Sequence, residues 1–224
     1  MIKYFDIFAG IGGFRSGLEK AGGFECVGYC EIDKYAKKAY ETLYDTRNEV
    51  YYDDARKIDP NELPDLDLIC GGFPCQSFSI AGKRKGFSDT RGTLFFEIAR
   101  IAAIKKPKYL LLENVPGLLS HNEGRTFATI LSTLDELGYD VVWEVLNSAD
   151  FGVPQSRKRV YIWFCQYHLT HFIRTRIMQR ERYDHSRAFF GLTEAARRWR
   201  CRFPTYFHSV HYHDIFHRHC SCFE

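Results

Sequence analysis

The chain has no apolar run approaching the roughly 18 residues of a membrane-spanning helix. It has no Cys-x-x-Cys pair either, and no charge of one sign in large excess. The first absence excludes a helical membrane span. Met1-Ile2-Lys3 runs directly into a strand-like segment, so no secretory leader is expected. Eight cysteines are therefore expected in a cytosolic, cytoplasmic chain, where disulfides are disfavoured. Without Cys-x-x-Cys spacing, the usual zinc-finger and dithiol frameworks lose their signature. A net charge of +3 and a pI of about 8.4 are compatible with a polyanionic partner but do not argue for one. The absences also change along the chain. No lysine follows Lys158, Gly191 is the one glycine after Cys165, and every histidine except His121 lies at or after His168.

What is present suits a soluble α/β domain. The 224 residues are 45% hydrophobic and 26% charged, enough apolar material for one sizeable core. Tyr4–Phe8 reads as a buried strand and Ala9–Gly13 as a glycine turn. The spacing of Phe14, Leu18 and Ala21 then predicts a helix. Strand, glycine turn and helix form a cradle where a ligand can approach the backbone. The glycines at 10, 12 and 13, with Arg15 following, do not make the full dinucleotide spacing. Cys26–Glu31 reads as a second strand ending in a carboxylate. Asp33 is the expected N-cap of a helix to about Tyr44, which leaves Glu31 as a candidate ribose acceptor. Val50–Tyr52 reads as a third strand, followed by Asp53, Asp54 and Ala55. A carboxylate there suits either an adenine amino group or a solvated acidic loop.

Leu66–Cys70 reads as a buried strand that breaks on Gly71, Gly72 and Pro74, delivering Cys75 to a strand-to-loop junction. Such junctions carry reactive groups in open α/β sheets, although a structural cysteine beside a turn is the commoner outcome. Lys83, Arg84, Lys85 and Arg91 form a basic, glycine-containing loop suited to phosphate contacts or to solvent. After a helix over Leu94–Ala103, the apolar strand from Tyr109 ends in Glu113, where burial would raise a carboxyl pKa as a general acid requires. A helix is expected over Gly124–Leu137, then a strand pair over Val141–Leu146 and Arg159–Phe164. Between those strands, Gln155-Ser156-Arg157-Lys158-Arg159 offers guanidinium groups for a phosphate or a base carbonyl. Alternating strands and helices through the first 165 or so residues predict a doubly wound, mostly parallel sheet with every candidate group on one rim.

Taken in order, these blocks resemble the C5-specific DNA cytosine methyltransferases of the bacterial restriction-modification type, in a C-terminally truncated or altered form. Asp6–Phe14, Glu31, Asp54-Ala55, Gly72–Ser79, Arg91–Leu94, Glu113–Val115 and Gln155–Arg159 match seven family blocks in sequence. The resemblance implies the Rossmann-like fold of S-adenosylmethionine-dependent methyltransferases. It implies S-adenosyl-L-methionine contacts at Phe8, Gly10, Ile11, Gly12, Gly13, Phe14, Glu31, Ile32, Asp54, Ala55, Pro74 and Leu94. Cys75 would be the thiolate that adds to cytosine C6 and Glu113 the acid at N3, while Arg157 and Arg159 would hold the O2 side. The target base would be flipped from duplex DNA. It further implies a monomer whose cognate restriction endonuclease is a functional, not physical, partner, and no membrane association.

Residues 1–165 are thus expected to be the catalytic and cofactor-binding domain. Residues 166–224 form an atypical Arg/His-rich tail in place of target recognition. Three readings of that tail stand: a metal site from His208, His211, His213, His217, His219, Cys220 and Cys222; a DNA-contacting extension through Arg197, Arg198, Arg200 and Arg202; or a stretch foreign to the ancestral protein, such as a shifted reading frame. The abrupt change in residue usage favours the last. No metal is expected. A catalytically impaired remnant, an RNA-directed relative and a nicotinamide dehydrogenase are the competing functions, the glycine spacing and Pro-Cys loop opposing the dehydrogenase.

Overall fold

The computed structural model describes residues 1–74 and 94–166. Through Gln166 the described chain belongs to one compact unit. Cys75, the basic loop to Thr93 and everything from Tyr167 on, including the tail's histidine, cysteine and arginine clusters, lie outside the described residues.

Seven strands form one sheet: β1 (Ile2–Ile7), β2 (Phe24–Cys30), β3 (Val50–Tyr52), β4 (Leu68–Gly72), β5 (Tyr109–Asn114), β6 (Asp140–Asn147) and β7 (Lys158–Cys165). Their order is β3-β2-β1-β4-β5-β7-β6. The first five are parallel, and β7 runs antiparallel between β5 and β6. This is the expected doubly wound, mostly parallel sheet. The chain winds outward from β1 to β3 and then restarts at β4, so the order reverses between β1 and β4, where open α/β sheets place ligands.

Helices α1 (Gly13–Ala21), α2 (Lys34–Leu43), α3 (Leu94–Lys105) and α4 (Arg125–Glu136) cover the sheet. On one face Phe5, Ile7, Ile69, Leu110, Leu112, Ile162 and Phe164 pack with Phe95, Ile98 and Ile101 of α3 and Phe127, Ile130 and Leu134 of α4. On the other, Tyr4, Leu68, Cys70, Leu111 and Tyr161 meet Phe14 and Leu18 of α1. Burial on both faces explains why the central strands read as nearly unbroken apolar runs. Asp33 caps α2 as expected, its carboxylate accepting from the amides of Tyr35 and Ala36 at 2.8 Å each. Among the described residues, no helix is long and apolar enough to cross a membrane.

Most boundaries fall within two residues of the sequence reading, and one of the differences changes what the residues do. Gly71 and Gly72 do not end β4; they continue it, Gly72 pairing with Glu113 of β5. A Cβ on Gly71 would lie 1.9 Å from the Ile7 carbonyl oxygen, and one on Gly72 2.7 Å from Glu113 Oε2. These glycines permit close approach rather than a turn. The strand ends at Phe73-Pro74 instead.

Candidate functional site

Because β1 to β5 are parallel, the loop after β1, Glu31 and Ile32, Asp53 to Ala55, Phe73-Pro74 and Glu113 to Val115 all emerge at one rim. The reversed direction of β7 brings Arg157 and Arg159 there from its opposite end, since Val160 pairs with Asn114. The sheet therefore gathers candidates separated by some 150 residues of sequence, among them Phe8 and Arg159.

The loop after β1 is built on left-handed backbone: Phe8 has φ 57°, Gly10 56° and Gly12 89°. Among the described residues, a Cβ at Gly10 would meet nothing within 4 Å, which leaves space for a ligand there. A Cβ at Gly12 would lie 2.3 Å from the Tyr44 ring. Glu31 joins this loop to the end of β2: Oε2 accepts from the Gly10 amide at 2.7 Å and Oε1 from the Asp33 amide at 2.8 Å. It is fixed in place, with lone pairs left over for hydroxyl donors. Beside it Ile32 is 70% exposed, an apolar surface at the rim.

Three of the expected cofactor residues are partly committed elsewhere. Phe14 is buried edge-to-face against Tyr161, leaving only its backbone to offer the loop. Ala55 is buried with the α3-side core. The Asp54 carboxylate caps a short turn and holds Arg56 through contacts of 2.7 to 3.0 Å, which keep it below the ordinary aspartate pKa. Ile11 and Gly13 remain in the loop and the first turn of α1, Pro74 is exposed at the rim, and Leu94 opens α3 half-buried.

On the other half of the rim, Arg159 Nε contacts Glu113 Oε1 at 2.7 Å, each side chain 21% exposed. Burial pushes the Glu113 pKa up, and the charges of Arg159 and Arg157 pull it only part of the way back. Burial and the two arginines thus act on this carboxyl in opposite directions, with burial the larger effect. Arg157 is exposed, and its main chain is clamped by Ser148: the Arg157 amide donates to Ser148 Oγ at 3.2 Å, and Ser148 Oγ donates to the Gln155 carbonyl at 2.5 Å.

Two residues that lie within the matched blocks, but to which sequence reasoning gave no role of their own, hold this arrangement. Buried Asn114 donates from Nδ2 to the Phe73 carbonyl at 2.7 Å and accepts from the Val115 amide at 2.9 Å. It ties the end of β5 to the chain two residues before Cys75. Asp6, fully buried at the end of β1, accepts from the Tyr40 hydroxyl at 3.3 Å. Burial raises the Asp6 pKa to about 8. The sequence signal for both was available: a polar residue within or closing an otherwise apolar strand.

The profile of the C-5 cytosine-specific DNA methylase family matches residues 2–195, past the last motif block. Type II methyltransferase M.NgoBI of Neisseria gonorrhoeae is 53% identical over 164 residues, covering 72% of this chain and 50% of that protein. M.HhaI of Haemophilus parahaemolyticus is 47% identical over 161 residues, covering 72% and 48% respectively. The chain spans about half the length of these curated relatives. Among solved structures, a DNMT2 variant from Spodoptera frugiperda superposes with a TM-score of 0.62 at 23% identity, over 76% of this chain and 51% of that one. A putative DNA modification methyltransferase of an E. coli prophage gives 0.58 at 22%, over 74% and 47%. These distant structural likenesses support the fold. By its match over most of its length, the chain belongs to the C-5 cytosine-specific DNA methylase family.

Proposed function

We propose that the chain carries the catalytic and cofactor-binding part of a methyltransferase that moves a methyl group from S-adenosyl-L-methionine to C5 of a flipped-out cytosine in duplex DNA. The observation that carries this reading is the half-buried Glu113–Arg159 pair at 2.7 Å, beside the strand end that leads into Pro74 and Cys75.

The residues present fit the cofactor. Gly10 leaves open space at the loop, Glu31 holds lone pairs beside it for a ribose, and exposed Ile32 offers an apolar face for an adenine. When bound, the sulfonium supplies an electrophilic methyl group. Cytosine C5 needs to be made nucleophilic to accept it. The Cys75 thiolate adds to C6, forming an S–C6 bond as the C5–C6 π electrons move toward C5 and the ring. Glu113 in its protonated form donates at N3, stabilising the electron-rich ring, and Arg159 with Arg157 holds O2. After methylation, a base removes the C5 proton, the C5–C6 double bond re-forms and the S–C6 bond breaks, returning Cys75 as thiolate. The base must leave the stack first, and the basic stretch Lys83 to Arg91 carries charge suited to contacts with the DNA phosphates.

In this reading residues 1–165 form the working domain, and 166–224 stand where target recognition would be. The enzyme acts as a monomer, with a cognate restriction endonuclease as its functional partner. Incubation with tritiated S-adenosyl-L-methionine and mixed-sequence duplex DNA tests it. Incorporation that disappears in Cys75→Ser supports the assignment. Binding of the cofactor without any incorporation assigns the chain to a catalytically impaired remnant.

A further inference from the structure

The buried cluster behind the glycine loop contains a cation that the proposed chemistry does not use. Arg15, 5% exposed, lies in the first turn of α1. Its Nε donates to Glu19 and its Nη1 to Glu49, both at 2.8 Å. Nη1 also reaches the Tyr40 hydroxyl, and Nη2 the Asp45 carbonyl, each at 3.3 Å. The guanidinium plane stands 4.5 Å from the centroid of the Tyr44 ring and 5.2 Å from that of Tyr40.

Both tyrosines pass this anchorage on to the loop. The Tyr40 hydroxyl donates to Asp6, the residue two positions before the left-handed turn at Phe8. The Tyr44 hydroxyl donates to the Gly12 carbonyl at 2.9 Å, and its ring fills the space where a Gly12 Cβ would sit. The loop is therefore held at its entrance and at its exit by two side chains of the α2 region gripping one arginine. Left-handed backbone at Phe8, Gly10 and Gly12 persists only where its surroundings over-determine it. This cluster supplies that determination from behind, while Gly10 stays open in front.

We propose that Arg15 is a positioning residue for the cofactor loop, acting through Tyr44 on Gly12 and through Tyr40 on Asp6. The proposal rests on the cofactor reading given above for its functional consequence, and on geometry alone for its structural one. Lysine cannot replace the arginine, because a single ammonium cannot engage Glu19, Glu49, Tyr40 and the Asp45 carbonyl at once or stack on Tyr44.

The test uses the full chain, wild type beside Tyr44→Phe and Arg15→Lys. Tyr44→Phe keeps the ring and its cation contact and removes one hydrogen bond to the loop. Amide hydrogen exchange is followed at Gly10 and Gly12 without cofactor, with Leu110 and Leu112 as internal references, and S-adenosyl-L-methionine binding is measured by calorimetry. In Tyr44→Phe, exchange at Gly10 and Gly12 is expected to accelerate roughly threefold to tenfold with the references unchanged, and the dissociation constant to rise by a similar factor. Arg15→Lys is expected to produce the same local pattern, more strongly. Unchanged loop exchange, or acceleration spread evenly over the sheet, overturns the proposal. A wild-type chain that shows the exchange contrast yet binds no S-adenosyl-L-methionine overturns the cofactor reading and leaves the positioning role standing.

Discussion

Gly72→Ala tests whether the placement of the Glu113 carboxyl matters to function separately from the fold. The new methyl carbon would sit 2.7 Å from Glu113 Oε2, with nothing else among the described residues closer than 3.8 Å. Optimal carbon contacts begin near 3.5 Å, so the carboxyl group has to retreat by roughly 1 Å. That retreat is inexpensive for the fold, because the obstacle is the far end of a flexible side chain. Alanine also recovers about 0.5–1 kcal/mol of backbone entropy relative to glycine within a strand. For catalysis the same shift displaces the Glu113 carboxyl from its present contact with Arg159 and from the ring nitrogen it would serve. Misplacement by 1 Å costs on the order of 10²-fold in rate. The neighbouring Gly71→Ala is the control, since its methyl carbon would lie 1.9 Å from a backbone oxygen that cannot swing aside. Single-turnover methyl transfer and thermal melting, measured on both variants, are expected to separate them. Gly72→Ala melts within a few degrees of wild type and transfers methyl about a hundredfold more slowly, whereas Gly71→Ala is destabilised outright. Full activity in a stably folded Gly72→Ala would refute the reasoning.

Other expectations follow from the buried polar groups. Glu113→Gln should lower methyl transfer by roughly 10²–10⁴-fold; wild-type activity should also fall as pH rises through the raised Glu113 pKa, a limb that a pH profile of the variant should lack. Asp6 has a folded-state pKa of about 8 against 3.8 for the free residue. Its stabilising contribution is therefore complete below the lower value and lost as pH rises toward the upper one, by at most about 1.4 kcal/mol per pH unit. Chemical denaturation from pH 5 to 8 should show a decline that is flatter in Asp6→Asn. The Tyr4 hydroxyl is buried without a hydrogen-bond partner among the described residues, so in chemical denaturation Tyr4→Phe should leave the unfolding free energy unchanged or raise it by up to about 1 kcal/mol.

The parts of this molecule that could be read in one dimension were those governed by local pattern. Apolar runs gave the strands, Asp33 announced the start of α2, and the spacing of Phe127, Ile130 and Leu134 gave the buried face of α4. Gly71 and Gly72 were misread because a glycine that admits a neighbouring strand looks the same, in sequence, as one that makes a turn. Phe14 sits in a motif block, yet its ring packs on Tyr161 from the far end of the chain, a contact that no local rule contains. The roles of Asn114 and Arg15 were not legible for a related reason. Their partners, Phe73 and the Tyr40–Glu49 segment, become neighbours only when the parallel sheet is assembled. The rim itself was legible because parallel strands must present their carboxyl ends together, whatever the details of packing.

The central claim is that Cys75 attacks cytosine C6 while Glu113 and Arg159 hold the ring. Duplex DNA carrying 5-fluorocytosine tests it directly, since fluorine cannot leave C5 as a proton does and the adduct persists once methylation has occurred. With S-adenosyl-L-methionine present, the account predicts a denaturation-resistant protein–DNA complex whose cross-linked peptide contains Cys75, absent in Cys75→Ser and formed much more slowly in Glu113→Gln. Methylation of ordinary cytosine without such a complex, or a cross-link at another residue, would contradict it.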